Sequence, residues 1–280
     1  MAKIRVVTDS ACDLSAAVAA EHGITVVPLS IRFGNEEFVD GRDLTTEEFW
    51  ARCKASQVLP ETAAPSPGAF QEAFLAAASD GCDGILSLSL SGGVSATFQA
   101  ATAAAKAVAD TIEVRALDSR SMTMGLGLMI LDVAELAATG ADLDTLAARV
   151  AELVPRTSVF GAVENLEHLE KGGRIGSARA LLGSLLSIKP VVTLVDGEVA
   201  EESKQRTRSR SLKYLADKAL NSPPLSRIAV ANGAATDIDD FLAMLADLKC
   251  EHPLVVSDLG PVIGTHTGPG TIGICMVTVV

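Results

Sequence analysis

The chain has 280 residues, a formal net charge of -12 and a hydrophobic content of 48%, apolar material for one large domain or two of ordinary size. That acidity, with only 4% aromatic residues, excludes both the broad positive face of a nucleic-acid binder and the stacking platform of a single-strand binder. Five scattered cysteines (Cys12, Cys53, Cys82, Cys250, Cys275) without a C-x-x-C pair exclude a zinc ribbon or disulfide framework and fit reduced thiols in the cytoplasm.

Lys3, Ile4 and Arg5-Val6-Val7-Thr8 open the chain as a buried strand instead of a signal peptide. Asp9 and Ser10 follow at its carboxyl end. Ser15 caps a helix over 16–22 that Gly23 stops, and 24–29 is a second strand. This β-α-β unit lacks G-x-G-x-x-G, so a dinucleotide site is not expected. A hairpin turns at Gly34-Asn35, and Thr45 or Thr46 caps the helix carrying Phe49 and Trp50. Ser66 with Pro67 behind it starts a helix through Ser79; Thr62 lies in the loop before it. A strand over 84–90 ends in Ser91-Gly92-Gly93-Val94-Ser95-Ala96-Thr97, ahead of a helix over 98–108. Strand, Gly/Ser loop and helix start together make a candidate anion site, and with no lysine in the loop it suits a carboxylate better than a triphosphate. Capping by Ser95 and a tight turn at Gly92-Gly93 serve equally as structural roles.

A strand over 113–117 and helices over 122–138 and 146–154 complete an alternating order that predicts a parallel, doubly wound sheet over residues 1–155. The run 122–131 is too short to span a membrane and is stopped by Asp132 and Glu135, so no stable membrane insertion is expected. Beyond Pro155 the order changes. Strands are expected at 157–163, 191–195 and 198–204, the last two joined by an Asp196-Gly197 hairpin turn. A short helix over 165–170 and one over 177–187 separate them from the first, and further strands follow at 227–231, 254–257 and 272–280. Residues 156–280 therefore read as a second, α+β domain with a largely antiparallel sheet, and the seam between the two domains is where a ligand cleft is expected. Five glycines and two prolines within 260–273 predict a shaped loop there, with Thr265, His266 and Thr267 offering donors to an anion. Between Lys171 and Lys213 basic residues outnumber acids, a local face for an acidic partner or a solvated surface.

These stretches, taken together, resemble the DegV family of bacterial fatty-acid-binding proteins from end to end. The resemblance is carried by Thr8-Asp9-Ser10 with Asp13-Leu14, by Thr62 to Gly68, by Val94-Ser95-Ala96-Thr97-Phe98-Gln99 and by Asp118-Ser119. Lys171-Gly172-Gly173-Arg174-Ile175, Lys189-Pro190, Lys204 with Arg206-Thr207, and Gly260 to Gly270 extend it. It implies a long-chain fatty acid bound between two α/β domains, with no other cofactor. Thr62, Ser95 and His266 would hold the carboxylate, with Ser91-Gly92-Gly93 nearby. It also implies a carrier without catalysis of its own, which presents the acid to an ATP-dependent fatty acid kinase that makes an acyl phosphate; Arg174 and Arg206 match the partner-facing positions. The chain departs from the family pattern at Ala63-Ala64, where Ser-Gln is usual, at Gly92, often a serine, and at Ala96, usually a glycine. The rival expectation is a phosphotransferase or hydrolase using His266 and Asp9 at the seam. A long acyl chain would need an apolar tunnel, and Met122, Met124, Leu126, Leu128 and Met129 are candidate liners, though core packing explains each of them alone.

Overall fold

The computed structural model describes residues 2–56, 58–180 and 188–279. The chain begins with β1 (Ile4–Asp9), α1 (Ala16–Glu21) and β2 (Thr25–Val27). Then β3 (Ser30–Phe33) and β4 (Glu36–Val39) form a hairpin, α2 (Thr46–Ala55) follows, and β5 (Glu61–Ala63) returns to pair with β3. Next come α3 (Pro67–Ser79), β6 (Gly84–Ser89), α4 (Thr97–Ala107), β7 (Val114–Asp118), α5 (Thr123–Ala138) and α6 (Leu143–Leu153). Strands β2, β1, β6 and β7 form a parallel sheet in that order. The helix starts follow from their side chains: Ser15, Ser66 and Asp142 each accept a backbone N–H of the first turn, and Thr45 with Glu48 closes a reciprocal capping box.

The second half holds β8 (Thr157–Ala162), α7 (Glu167–Lys171), β9 (Lys189–Val195), β10 (Glu198–Gln205), α8 (Arg208–Leu220), β11 (Leu225–Gly233), α9 (Ile238–Met244), β12 (Val255–Asp258), α10 (Pro261–Thr267) and β13 (Thr271–Thr278). Its sheet runs β10-β9-β8-β13-β11-β12 and is antiparallel except for the β11–β12 pair. The fold is thus mixed α/β, with one parallel sheet, one mostly antiparallel sheet and the small three-stranded β4-β3-β5 sheet. Pro155 lies in the 3₁₀ turn Val154–Arg156 that leads from α6 into β8.

The two sheets share a core. From Thr123 to Leu131 helix α5 is buried on every side (Met124, Leu126, Leu128, Met129 and Ile130 among them), the composition of a helix segment with no solvent face. One continuous apolar cluster joins it to Val6, Leu86 and Leu88 of the first sheet and to Val159, Ala229, Cys275 and Val277 of the second. The opposite face of the first sheet buries Val7 and Ile85 under Phe70 and Phe74 of α3 and Ala101 and Ala104 of α4. The opposite face of the second buries Ile228, Ile272 and Ile274 under Leu212 and Leu215 of α8 and Phe241 of α9. Alternation along β13 divides these faces: Ile272, Ile274 and Met276 point one way, Cys275 and Val277 the other. Asp132 and Glu135, which break the apolar run of α5, bind Arg227 of β11, and Asp132 also binds Arg149 of α6 at 2.7 Å. Arg227 is only 8% exposed, so deleting either acid would leave a buried charge poorly paired.

Two sequence expectations change. Residues 260–273 are not one loop: Pro261 to Thr267 is helix α10, and Gly268 to Gly270 is the turn. Proline is tolerated because it occupies the first turn, where its missing N–H has no partner to lose, and Gly268 ends the helix at φ 78°. Thr62 sits in strand β5, paired opposite Ile31, instead of in a loop. Helices α8 and α9 were not anticipated. The helix expected over 177–187 falls mostly outside the described residues; 176–180 form a 3₁₀ turn.

Candidate functional site

A cavity of about 180 Å³ lies where α10, β5, the turn after β6, α7 and the inner face of the second sheet converge. Its wall is overwhelmingly apolar: Leu29, Leu90, Val94, Met122, Val163 and Val262 are among the residues lining it. Thr62 Oγ1 and His266 Nε2 lie 2.8 Å apart in that wall, and Ser95, Arg174, Thr193 and Thr271 also reach the lining.

His266 is held from several directions. The first turn of α10 is anchored by Asp13, whose carboxylate accepts the Gly260 N–H at 3.1 Å. Gly264 lies against Phe49 and Trp50 of α2; a Cβ there would stand 2.8 Å from both rings. The last turn is tied to α7, where His168 Nδ1 meets the Thr265 carbonyl at 2.9 Å. Gly172, just past α7, packs directly on His266 Nδ1, where any side chain would overlap the ring. That nitrogen is buried without a hydrogen-bond partner among the described residues. Burial, with the nearby charges of Arg174 and His168 adding to it, pushes the His266 pKa down to about 4, so the ring is neutral at physiological pH. A neutral imidazole beside a threonine hydroxyl can donate to a carboxylate without a buried ammonium or guanidinium in direct contact.

The structure brings together Thr62, Ser95, His266 and Thr267, all of which line the cavity. Ser95 Oγ is 2.8 Å from Thr97 Oγ1 and accepts the Thr97 N–H, but the N-cap of α4 is Ala96. Thr267 donates its hydroxyl back to the Ile263 carbonyl. Thr265 is turned into its own helix, bonded to the Pro261 carbonyl at 2.8 Å, and is not among the lining residues. The Ser91-Gly92-Gly93 turn does not line the cavity either, because its donors are spent on protein. Ser91 Oγ donates to the Gly197 carbonyl at 2.7 Å, and the Gly92 N–H donates to Asp118 at 3.1 Å. A Cβ at Gly93 would meet the Gly197 carbonyl at 2.8 Å. This turn is a joint between β6 and the β9–β10 hairpin. Of the methionines and leucines considered as liners, only Met122 reaches the cavity; the others fill the shared core.

Arg174 belongs to the cavity lining. Its Nη1 donates to the Gly172 carbonyl at 2.7 Å and its Nε to the Val94 carbonyl at 3.2 Å. The basic run around it pointed outward to a partner; nothing in the spacing showed that the Gly172-Gly173 turn would fold its guanidinium inward. Arg206 is exposed just ahead of α8, and among the described residues it makes no ion pair. Most of its basic neighbours are paired, Lys204 with Glu201, Lys213 with Asp217 and Arg208 with Asp237.

Asp9 does not meet His266. It is buried at the end of β1, where its carboxyl accepts the N–H groups of Ala11 at 3.1 Å and Leu90 at 2.8 Å. Burial raises its pKa to about 7 against those bonds; burial likewise raises Asp13 to about 8, with Thr123 and Gly260 opposing and the charges of Asp40 and Asp9 adding. In the unfolded chain both groups ionise near the usual carboxylate value, so between pH 6.5 and 8 the folded state holds protons that the unfolded state has lost. Stability should therefore fall as pH rises through that window, above the range in which His266 titrates. Melting temperatures measured from pH 6.5 to 8.5 should show the fall, and Asp13→Asn should flatten it; a slope unchanged in that variant would remove Asp13 from the effect.

Among the described residues no cluster of histidine, cysteine or acidic side chains could hold a metal ion, and no helix is long and apolar enough to cross a membrane.

Known proteins share this fold. The model of the DegV family, described as "Uncharacterised protein, DegV family", matches residues 3–279. A DegV domain-containing protein of Streptomyces coelicolor is 36% identical over 283 residues, and one of Listeria monocytogenes 34% identical over 278; each alignment covers 97% of both chains. Among solved structures, a Thermus thermophilus DegV family protein described for its fatty acid binding superposes with a TM-score of 0.88 at 31% identity, covering 99% of this chain and 100% of its own. DegV of Bacillus subtilis, described as a fatty acid binding protein, gives 0.88 at 30% identity with both chains fully covered. From residue 3 to residue 279, this chain belongs to the DegV family.

Proposed function

We propose that this protein binds a long-chain fatty acid in the cavity between residues 1–155 and 156–280, its carboxylate at Thr62 and His266 with Ser95 and Arg174 close by. The observation that carries the proposal is the Thr62–His266 pair, two neutral donors set in the wall of a mostly apolar cavity. Each CH₂ moved from water into such a wall contributes about 0.8 kcal/mol, so a long acyl chain supplies the affinity and the donor pair fixes its orientation. Family members described as fatty acid binding proteins, with the same fold over the whole chain, support it. Native mass spectrometry before and after solvent extraction tests it. A stoichiometric fatty acid that extraction releases is expected. A protein that carries none and takes up none when offered would overturn the proposal.

The finer part is that the protein is a carrier that presents the bound carboxylate to a fatty acid kinase for acyl phosphate formation. Arg206, exposed and without an acidic partner among the described residues, supports a docking role. Arg206→Ala should leave fatty acid binding intact and slow acyl phosphate formation by an added kinase. Unchanged phosphorylation would assign this face to solvent.

A further inference from the structure

The inner face of the second sheet has a bare stretch under the cavity. Across it, hydrogen-bonded neighbours share a side of the sheet, and one such row reads Val192–Gly161–Gly273–Ala231. The adjacent row contains Val159–Cys275–Ala229. Two glycines thus stand side by side on β8 and β13, in the middle of a six-stranded sheet, and both line the cavity.

Glycine weakens a strand interior, and its presence there often marks a close approach by a ligand or another backbone. The protein itself does not require it at either position. Neither Gly161 nor Gly273 has a left-handed backbone. A Cβ at Gly161 would meet nothing nearer than Val192 Cγ2 at 3.6 Å, and one at Gly273 nothing nearer than Ala231 Cβ at 3.5 Å, both ordinary contacts. Gly172 is the opposite case, since a side chain there would collide with His266. What the missing side chains at 161 and 273 provide is room on the cavity side.

We infer that Gly161 and Gly273 are specificity-determining residues, and that their paired bare backbone forms a furrow in the cavity floor that admits a fatty acid whose chain carries a local bulge, a cis double bond or a methyl branch. The inference rests on the fatty acid proposal above and deepens it to a class of acid. A uniform straight chain needs only a uniform tunnel, whereas a local widening matches a local widening of the ligand.

The test is competitive loading of delipidated protein with equimolar palmitic, palmitoleic and iso-branched hexadecanoic acids, read by mass spectrometry of the bound acids. Wild type is expected to take up the bent or the branched acid at least as well as palmitic acid, and the arm that does so names the bulge. Gly161→Ala and Gly273→Ala should each lower that ratio by about tenfold, the scale on which one methyl group in an apolar pocket discriminates. Their melting temperatures should stay equal to or above wild type. A ratio unchanged in both variants, with acid still bound, overturns this inference and leaves the fatty acid proposal standing. So does a wild type that prefers palmitic acid, or an alanine variant that fails to fold. A wild type that binds none of the three overturns both.

Discussion

Gly127→Ala is expected to lower the stability of this protein by about 2 kcal/mol, within the range for overpacking a tight core. In an exposed helix interior the same change ordinarily stabilises by about 1 kcal/mol, so the sign itself is diagnostic. Gly127 lies in the middle of α5, and a Cβ there would stand 2.6 Å from the Cys12 carbonyl oxygen. That oxygen belongs to backbone held in a tight turn, with Asp9 accepting the Ala11 N–H beneath it and Asp13 tied to Thr123 and Gly260 beyond it. It cannot retreat without disturbing both. Chemical denaturation of the variant should show a lower midpoint with an unchanged slope. A midpoint equal to or above wild type would mean that the Cys12 turn gives way freely.

His266→Ala is expected to weaken fatty acid binding by about 10- to 100-fold, the loss of one hydrogen bond to a charged group. The fold should survive, because among the described residues the Nδ1 of this ring has no partner to lose and its Nε2 meets only Thr62. Isothermal titration with a soluble fatty acid reads the affinity, and the melting temperature of the ligand-free protein controls for folding. Thr62→Val, which keeps the shape and removes the hydroxyl, should weaken binding in the same direction. An affinity untouched by both substitutions would move the carboxylate to another part of the cavity.

Much of the fold was legible because its signals are local. Ser15, Ser66 and Asp142 each announce a helix by a hydroxyl or carboxylate that the first turn needs, and the Asp196-Gly197 turn sets the β9–β10 hairpin. Helix α10 was hidden because its glycines answer to tertiary contacts: Gly264 makes way for Phe49 and Trp50, and Gly260 for the Asp13 carboxylate. Counted by composition, those residues spell a loop. Helix α8 was hidden differently. Leu212, Leu215, Ala216 and Ala219 fall at helical spacing and are buried, but its arginines and lysines drew attention to charge. Within the site, residue types at Thr62, Ser95 and His266 could be picked out by resemblance, whereas the fate of a donor could not. Ser91 and Ser95 look alike in sequence, yet one bonds the Gly197 carbonyl across the molecule and the other reaches the cavity. Arg174 turned inward for the same kind of reason, its carbonyl partners at Gly172 and Val94 being supplied by the folded chain.

The Thr62–His266 pair spans 204 positions of sequence, and β13, which follows it, is the strand that joins β8 to β11. During synthesis, at roughly 5–20 residues per second, the first sheet and its helices are outside the ribosome for many seconds before either partner of that strand can be joined. For all that time β8 and β11 have no strand between them, and the Thr62–His266 pair does not exist. A nascent chain therefore lacks the head-group site proposed for a fatty acid. Under the proposed function, ligand capture waits for translation to pass β13.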